Sequence, residues 1–338
     1  MAVIGAGNIA GGYDEKKKKS DRGIYTHAGA YKATGKFKLS TIFDLQQDRA
    51  ESLRSVWGFG KAVTDFVEIC SNFHDVVSVC TPDQTHFSIV KSLLEAECCH
   101  TIFVEKPLAE SLAEIEHLID LASAKSINLV VNFQRRYETI HQEIRQRINA
   151  SPGDLLSAGG YYIKGLKHIG VTMVDTITYL CGYPEAVQTF NRVFNGEVND
   201  FTYEFVLFFP EFSIVVKTVD SARHVYNYHL FEIDMLFTDQ RLTIVDNSQG
   251  LRETNVGDYA YSGIRVLKDR DTTYRETSYK LSMLAAAEYL YDITYNQSPH
   301  TINIGQNSYD DFLIIEKIIE SYNLNQTKLY LEPTSWKK

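Results

Sequence analysis

The chain has 338 residues, enough for two domains, and its 44% hydrophobic and 23% charged residues are the proportions of an ordinary globular protein. A formal net charge of −9 argues against a nucleic-acid partner, and no apolar run approaches the ~20 residues of a membrane-spanning helix. The five cysteines (Cys70, Cys80, Cys98, Cys99 and Cys181) form no CxxC pair and match no zinc spacing, so reduced thiols in a cytoplasmic protein without a metal are expected.

Met1 leads straight into Ala2-Val3-Ile4, with no charged region or cleavage site of a signal peptide before it. Strands are expected at 2–5, 39–43, 76–80, 101–104 and 128–132. Helices are expected at 46–56, 65–69, 87–96 and 111–125. Short continuous apolar strands separated by helices fit a parallel sheet covered on both faces. The first ~130 residues therefore read as a doubly wound α/β Rossmann domain. The basic run Lys16–Lys19, flanked by Asp14, Glu15 and Asp21, reads as a solvated loop. Its functional alternative is a flap closing near an anionic ligand.

After about residue 150 the pattern changes. Strands are expected at 201–209, 213–219, 226–237 and 241–245, with turns at Pro210-Glu211 and Asp239-Gln240. Helical patterns return at 173–180, 279–295 and 308–319. This half reads as an α+β domain with a large, mostly antiparallel open sheet. The aromatic residues Phe201, Tyr203, Phe205, Phe208 and Phe209 read as core and oligomer interface. The expected division is 1–131 and 132–338, with the last segments free to pack back on the first domain.

Four motifs carry chemistry. Gly5-Ala6-Gly7-Asn8-Ile9-Ala10 is a GxGxxA after an apolar strand: Gly5 permits the turn, Gly7 admits a pyrophosphate, and Ala10 keeps the helix close. Asp44 ends the second strand, where an acid accepts from a ribose and repels a 2′-phosphate, favouring NAD over NADP; its bland role is to cap the next helix. Its distance from Ala10 exceeds the usual spacing because 11–26 reads as an inserted loop. Cys80-Thr81-Pro82-Asp83-Gln84-Thr85-His86 runs from a strand end into a helix start, where Thr81 and Pro82 face the ligand crevice. Taken alone, His86 is a core or capping histidine. Glu105-Lys106-Pro107 places an ammonium at a strand end, where it can stabilise a developing alkoxide.

In this order, and with Asn132-Phe133-Gln134-Arg135-Arg136-Tyr137 following, the motifs resemble the Gfo/Idh/MocA oxidoreductase family along the whole chain. The resemblance implies reversible hydride transfer between a nicotinamide and a sugar, cyclitol or related polyol. It implies that Glu105 and Lys106 lie beside the nicotinamide, that Gly5, Gly7, Asn8, Ile9 and Ala10 hold the diphosphate, and that Asn132 belongs to the same site. Arg136 and Tyr137 are candidates for meeting an anionic substrate, with a salt bridge or inter-domain contact as the bland alternative.

The stretch Tyr162–Asp175 corresponds to the family's catalytic segment, but Thr172 stands where relatives usually carry a histidine base. A threonine hydroxyl is no general base near neutral pH. On a helix, His168, Thr172 and Asp175 share roughly one face, so His168 could take over proton transfer, Thr172 relay it and Asp175 orient the site. Two alternatives stay open: an active site using Lys164 or a bound water, and a catalytically impaired protein. The Lys164-Gly165-Leu166 resemblance implies a nucleotide sugar or sugar phosphate as substrate. Rival functions are transient oxidation without net redox change, as in an epimerase or glycosidase, and a cofactor or sugar-nucleotide sensor. A wide open sheet face further suggests a homodimer or homotetramer.

Overall fold

The computed structural model describes residues 1–194, 200–219, 229–260, 263–296 and 305–332. They divide into two compact units: Met1–Glu138 with Lys280–Tyr309, and Thr139–Tyr279 with Asp310–Lys338. The first unit thus extends past the expected boundary at 131 and takes in a segment from the C-terminal part.

In the first unit, strands β1 (Ala2–Ile4), β2 (Thr41–Phe43), β3 (Lys61–Val63), β4 (His74–Val79), β5 (Cys99–Val104) and β6 (Asn128–Val131) form one sheet. Their order is β3-β2-β1-β4-β5-β6 and every pairing is parallel. The order reverses between β1 and β4, which is where an open α/β sheet leaves its ligand crevice. The apolar runs exist because these strands are buried on both faces: Val3, Ile4, Val76, Val77, Val79, Ile102 and Val104 have no exposed surface.

Caps set the helix ends. Thr26 Oγ1 accepts from Gly29 N (3.1 Å) to start helix His27–Thr34, which stops at Gly35 in the left-handed region (φ 66°). Ser111 Oγ accepts from Glu114 N (3.3 Å) to start helix Leu112–Ala124. The third cover is helix Ser282–Tyr295, whose Met283, Ala286, Ala287 and Leu290 are buried in the core with Val3, Val76, Phe103 and Val130. Thr294 and Thr101 join hydroxyls at 2.9 Å, and Lys36 meets both Glu288 and the Tyr291 ring.

The second unit is built on strands β7 (Leu155–Tyr162), β8 (Ala186–Val193), β9 (Thr202–Phe208), β10 (Ser213–Lys217), β11 (Phe231–Phe237), β12 (Gln240–Val245), β13 (Gly250–Asp258), β14 (Arg265–Leu267), β15 (Thr273–Glu276) and β16 (Leu329–Tyr330). The path is β14-β13-β12-β11-β7-β10-β9-β8-β16, with β15 on β13. Only β7 and β10 run parallel; the other pairs are antiparallel. The expected strand at 226–237 begins at Phe231, and its residues 226–228 lie outside the described residues. Alternation is plain on β11, where Phe231, Ile233, Met235 and Phe237 are buried and Glu232, Asp234 and Leu236 are not. Helices Thr139–Ala150 and Val171–Cys181 belong here; a side chain at Gly160 would meet Met173 Sδ at 3.3 Å, so the glycine lets the second helix lie close to β7.

Of the meander aromatics, Tyr203, Phe205 and Phe209 are core, whereas Phe201 and Phe208 are half-buried. The opposite face carries a depression of about 730 Å³ lined by polar and charged side chains, among them Lys217, Glu232, Asp234, Arg241 and Arg252.

Candidate active site

The hydrogen-bond ladder of the first sheet runs one residue beyond the strands. Asp44 N donates to Val63 O (3.2 Å), Gly5 N to Phe43 O (2.8 Å), Cys80 N to Ile4 O (2.8 Å), Glu105 N to Val79 O (3.0 Å) and Asn132 N to Val104 O (2.8 Å). Asp44, Gly5, Cys80, Glu105 and Asn132 therefore stand in one row along the carboxyl edge. Strand spacing puts Asp44 and Glu105 about 14 Å apart, on opposite sides of the switch point.

The glycine turn is shaped for close approach. Gly5 is left-handed (φ 90°), and a Cβ there would come within 2.9 Å of Cys80 O. Around Gly7 the space is open, with nothing within 4 Å of an added Cβ. The chain then makes a wide helical turn at Asn8–Gly12 in which Gly12 N reaches Gly7 O (3.4 Å), followed by the short helix Tyr13–Lys16. Ala10 is buried, while Asn8 is exposed and Ile9 half-buried.

Asp44 locks this turn to β2. Its Oδ2 accepts from Ala6 N (2.8 Å) and its Oδ1 from Gln46 N (2.9 Å). The expected capping of the next helix is not what Asp44 does: helix Gln47–Trp57 has Gln46 as its N-cap with no side-chain cap bond, and Asp44 instead closes a local turn on Gln46 N. Each carboxylate oxygen keeps a further lone pair for a ribose. Open space at Gly7 beside a carboxylate held at the next strand end fits a dinucleotide diphosphate and ribose.

The expected loop at 11–26 is organised around one buried carboxylate. Asp14 accepts from Tyr25 N (3.1 Å), Thr26 N (3.0 Å), Thr26 Oγ1 (2.6 Å) and Lys17 Nζ (3.1 Å). Lys16 donates to Asn8 Oδ1 (3.1 Å), and Lys18 and Lys19 are exposed.

Thr81 Oγ1 accepts from Thr85 Oγ1 (2.8 Å), and Pro82 is exposed at the turn. His86 has no exposed surface; its Nε2 lies 2.9 Å from Thr81 O and its Nδ1 2.7 Å from Pro107 O. It pins the two loops together, so any influence on a cofactor passes through their position.

Glu105 and Lys106 are half-buried at the end of β5, and the Lys106–Pro107 bond is cis. Glu105 Oε1 takes two donors, His27 Nε2 at 2.8 Å and Asn132 Nδ2 at 2.6 Å. Burial alone would raise this carboxyl's pKa; the His27 hydrogen bond and charge, then Asn132 and the Lys106 ammonium, outweigh it and hold the group below its ordinary range. Behind it, Ser78 Oγ lies 3.2 Å from His27 Nδ1 and 2.7 Å from the Tyr31 hydroxyl. His27, Ser78 and Tyr31 carry no motif of their own, and 78 residues separate His27 from its carboxylate, so no local pattern points to them.

Arg136 and Tyr137, on the turn Gln134–Tyr137, are buried; the Tyr137 ring lies 5.6 Å from that of Tyr289, tilted by 49°. That rules out an exposed surface salt bridge for Arg136.

In the second unit, Lys164 is left-handed (φ 69°) and exposed, with Nζ 3.5 Å from His229 Nδ1. Burial, then the Lys164 charge, lowers the pKa of His229. A wide turn at Gly165–Gly170 follows and is held by Asp200, which accepts from Lys167 N (2.9 Å) and His168 N (3.0 Å). His168 is exposed on this turn, whereas Thr172 and Asp175 are buried on helix Val171–Cys181. The expected single α-helical face through His168, Thr172 and Asp175 is interrupted, because His168 sits on the wide turn ahead of the α-helix.

Residues 1–133 match the model of an oxidoreductase family with an NAD-binding Rossmann fold. The chain is 26% identical over 149 residues to myo-inositol 2-dehydrogenase of Thermotoga maritima, covering 44% of this chain and 40% of that protein. It is 26% identical over 221 residues to D-glucoside 3-dehydrogenase of Escherichia coli, covering 56% of each. The chain thus spans about half the length of the curated relatives it matches. A solved levoglucosan dehydrogenase in complex with NADH and levoglucosan shares the fold, with a TM-score of 0.78 at 18% identity over 98% of this chain and 99% of that one.

Proposed function

We propose that the chain is an NAD-dependent sugar or cyclitol dehydrogenase of the Gfo/Idh/MocA oxidoreductase family, whose NAD-binding Rossmann model residues 1–133 match. The observation that carries this is the row along the carboxyl edge: Asp44 and Gly5 on one side of the switch point, Cys80, Glu105 and Asn132 on the other.

When bound, the nicotinamide dinucleotide supplies or accepts a hydride. The protein's part is to bind, orient and manage charge. Gly5, Gly7, Asn8, Ile9 and Ala10 hold the diphosphate, and Asp44 takes the ribose and disfavours a 2′-phosphate. Thr81, Pro82 and Asn132 complete the crevice. Lys106 carries an ammonium to the reacting oxygen, stabilising negative charge as it develops. His168 moves the hydroxyl proton in place of the histidine that Thr172 replaces, Thr172 contacts the substrate, and Asp175 orients the segment. Lys164, Arg136 and Tyr137 are the candidates for binding the remainder of the substrate. Two of the relatives named above act, by name, on an inositol and a glucoside, which supports a neutral polyol as strongly as a sugar phosphate or nucleotide sugar.

Fluorescence titration with NADH and NADPH tests this, using wild type and Gly7→Trp. A Cβ at Gly7 would meet nothing within 4 Å and the backbone there is ordinary, so the variant is expected to fold and to lose NADH binding. Tighter NADPH than NADH binding would refute the role given to Asp44. Failure to bind either would end the oxidoreductase reading.

A further inference from the structure

Glu105 is the one carboxylate in the strand-end row that faces inward to a buried histidine. Both of its donors, His27 and Asn132, land on Oε1, and neither engages Oε2. Its side chain keeps 13% exposure while His27 keeps none. One oxygen is thus anchored by both interior donors, while the side chain keeps some exposure at the strand end.

The groups behind His27 decide which way its ring is used. A carboxylate only accepts, so the His27 nitrogen at 2.8 Å must donate. With a neutral ring, Nδ1 then accepts from Ser78 Oγ, and Ser78 in turn accepts from the Tyr31 hydroxyl. Burial raises the Tyr31 hydroxyl far above its ordinary range, so it stays a donor at all working pH values. Ser78 and Tyr31 are as buried as His27. With His27 neutral the donors run from Tyr31 through Ser78 and His27 to Glu105; with His27 charged its Nδ1 donates to Ser78 Oγ instead, and in both states Nε2 donates to Glu105 and orients the carboxylate.

We propose that His27 is a positioning residue for the reaction: seated on Ser78 and Tyr31, it fixes Glu105 with Oε2 turned to the cofactor crevice and so fixes the ammonium of Lys106. This rests on the dehydrogenase reading of the site. The titratable groups facing Glu105 among the described residues are His27, Lys106, Cys80 and Tyr31. Loss of the His27 donor moves Glu105 toward protonation at higher pH, because burial then outweighs fewer stabilising partners.

The test compares wild type, His27→Phe and His27→Gln with NAD and either myo-inositol or levoglucosan. Removing one hydrogen bond to a charged group predicts a fall in kcat/KM of roughly ten- to 150-fold in His27→Phe. The acid limb of its pH profile moves to higher pH. His27→Gln, whose amide still donates to Glu105, restores much of both. A Tm loss in His27→Phe with an unmoved pH profile and no Gln rescue would overturn the proposal. Nitrogen NMR of histidine-labelled, ligand-free wild type provides a readout independent of turnover: a proton on His27 Nε2 is expected, and a bare Nε2 would overturn it. If wild type binds no NADH, the dehydrogenase reading fails while the NMR result still decides the orientation of His27.

Discussion

Two glycines two residues apart do different work. Gly5 sits at φ 90° with Cys80 O where its Cβ would be, whereas Gly7 has ordinary backbone and open surroundings. Gly5→Ala should therefore destabilise the protein by about 1–3 kcal/mol, through backbone strain and a clash. Gly7→Ala should leave the urea midpoint close to wild type, and equal effects from the two variants would refute this assignment. A second residue-scale consequence concerns acid. Burial, followed by the Met1 ammonium, lowers the imidazole pKa of His74 from its ordinary 6.5, and the Lys61 charge adds to this against the opposing effects of Ile69 O and Asp75. The unfolded chain then takes up a proton at a pH where the folded chain does not. This contribution to stability is present above pH 6.5 and is lost as pH falls through the window below it. Wild-type Tm should drop more steeply than that of His74→Gln between about pH 7.5 and 5.5, and parallel curves would exclude it.

At the scale of elements, legibility followed locality. The parallel strands were readable because burial on both faces leaves unbroken apolar runs such as Val76-Val77 and Ile102-Phe103-Val104. The glycine turn and Asp44 were readable because each acts within a few residues of its own strand end. Strand β7 escaped notice because its Ser157-Ala158-Gly159-Gly160 centre has poor strand propensity and is held by neighbours on both sides. Strand β13 was missed because its sequence is mostly polar, and helix Thr139–Ala150 because three apolar residues, Ile140, Ile144 and Ile148, supply its whole buried face apart from His141. The anchoring of Glu105 was invisible for another reason: His27 and Asn132 come from opposite ends of the domain in sequence. Helix Ser282–Tyr295 was legible as a helix, but its place in the first unit is a tertiary fact. Leu290 in that helix is fully buried in the Rossmann core, so Leu290→Ala should cost about 2–5 kcal/mol. The loss should also weaken NADH binding, since Met283 of the same helix accepts from Asn132 Nδ2 (3.2 Å) beside Glu105. Unchanged stability in denaturant would show that this helix is not part of the first core.

At the scale of the whole molecule, the open face of the second sheet bears on self-association. The aromatics of 201–209 were expected to serve as core and oligomer interface; Tyr203, Phe205 and Phe209 are core, and Phe201 and Phe208 are half-buried. The open face presents three basic residues, Lys217, Arg241 and Arg252, and three acidic ones, Glu232, Asp234 and Asp269. Arg241 pairs with Asp234 at 2.7 Å, and Thr243 Oγ1 donates to the same carboxylate at 2.8 Å. A surface of mixed, balanced charge can meet a copy of itself across a two-fold axis, whereas one of a single sign would repel. An antiparallel sheet can also leave such a face in water, so the fold alone does not require a partner. We expect a homodimer through this face, measured by light scattering or sedimentation of the purified chain. Arg241→Glu places a third acid beside Glu232 and Asp234 and should shift the population to monomer, with little change in Tm because the wild-type pair is partly exposed. A wild-type monomer at all concentrations would mean that the charge pattern serves solvation and that this face remains open.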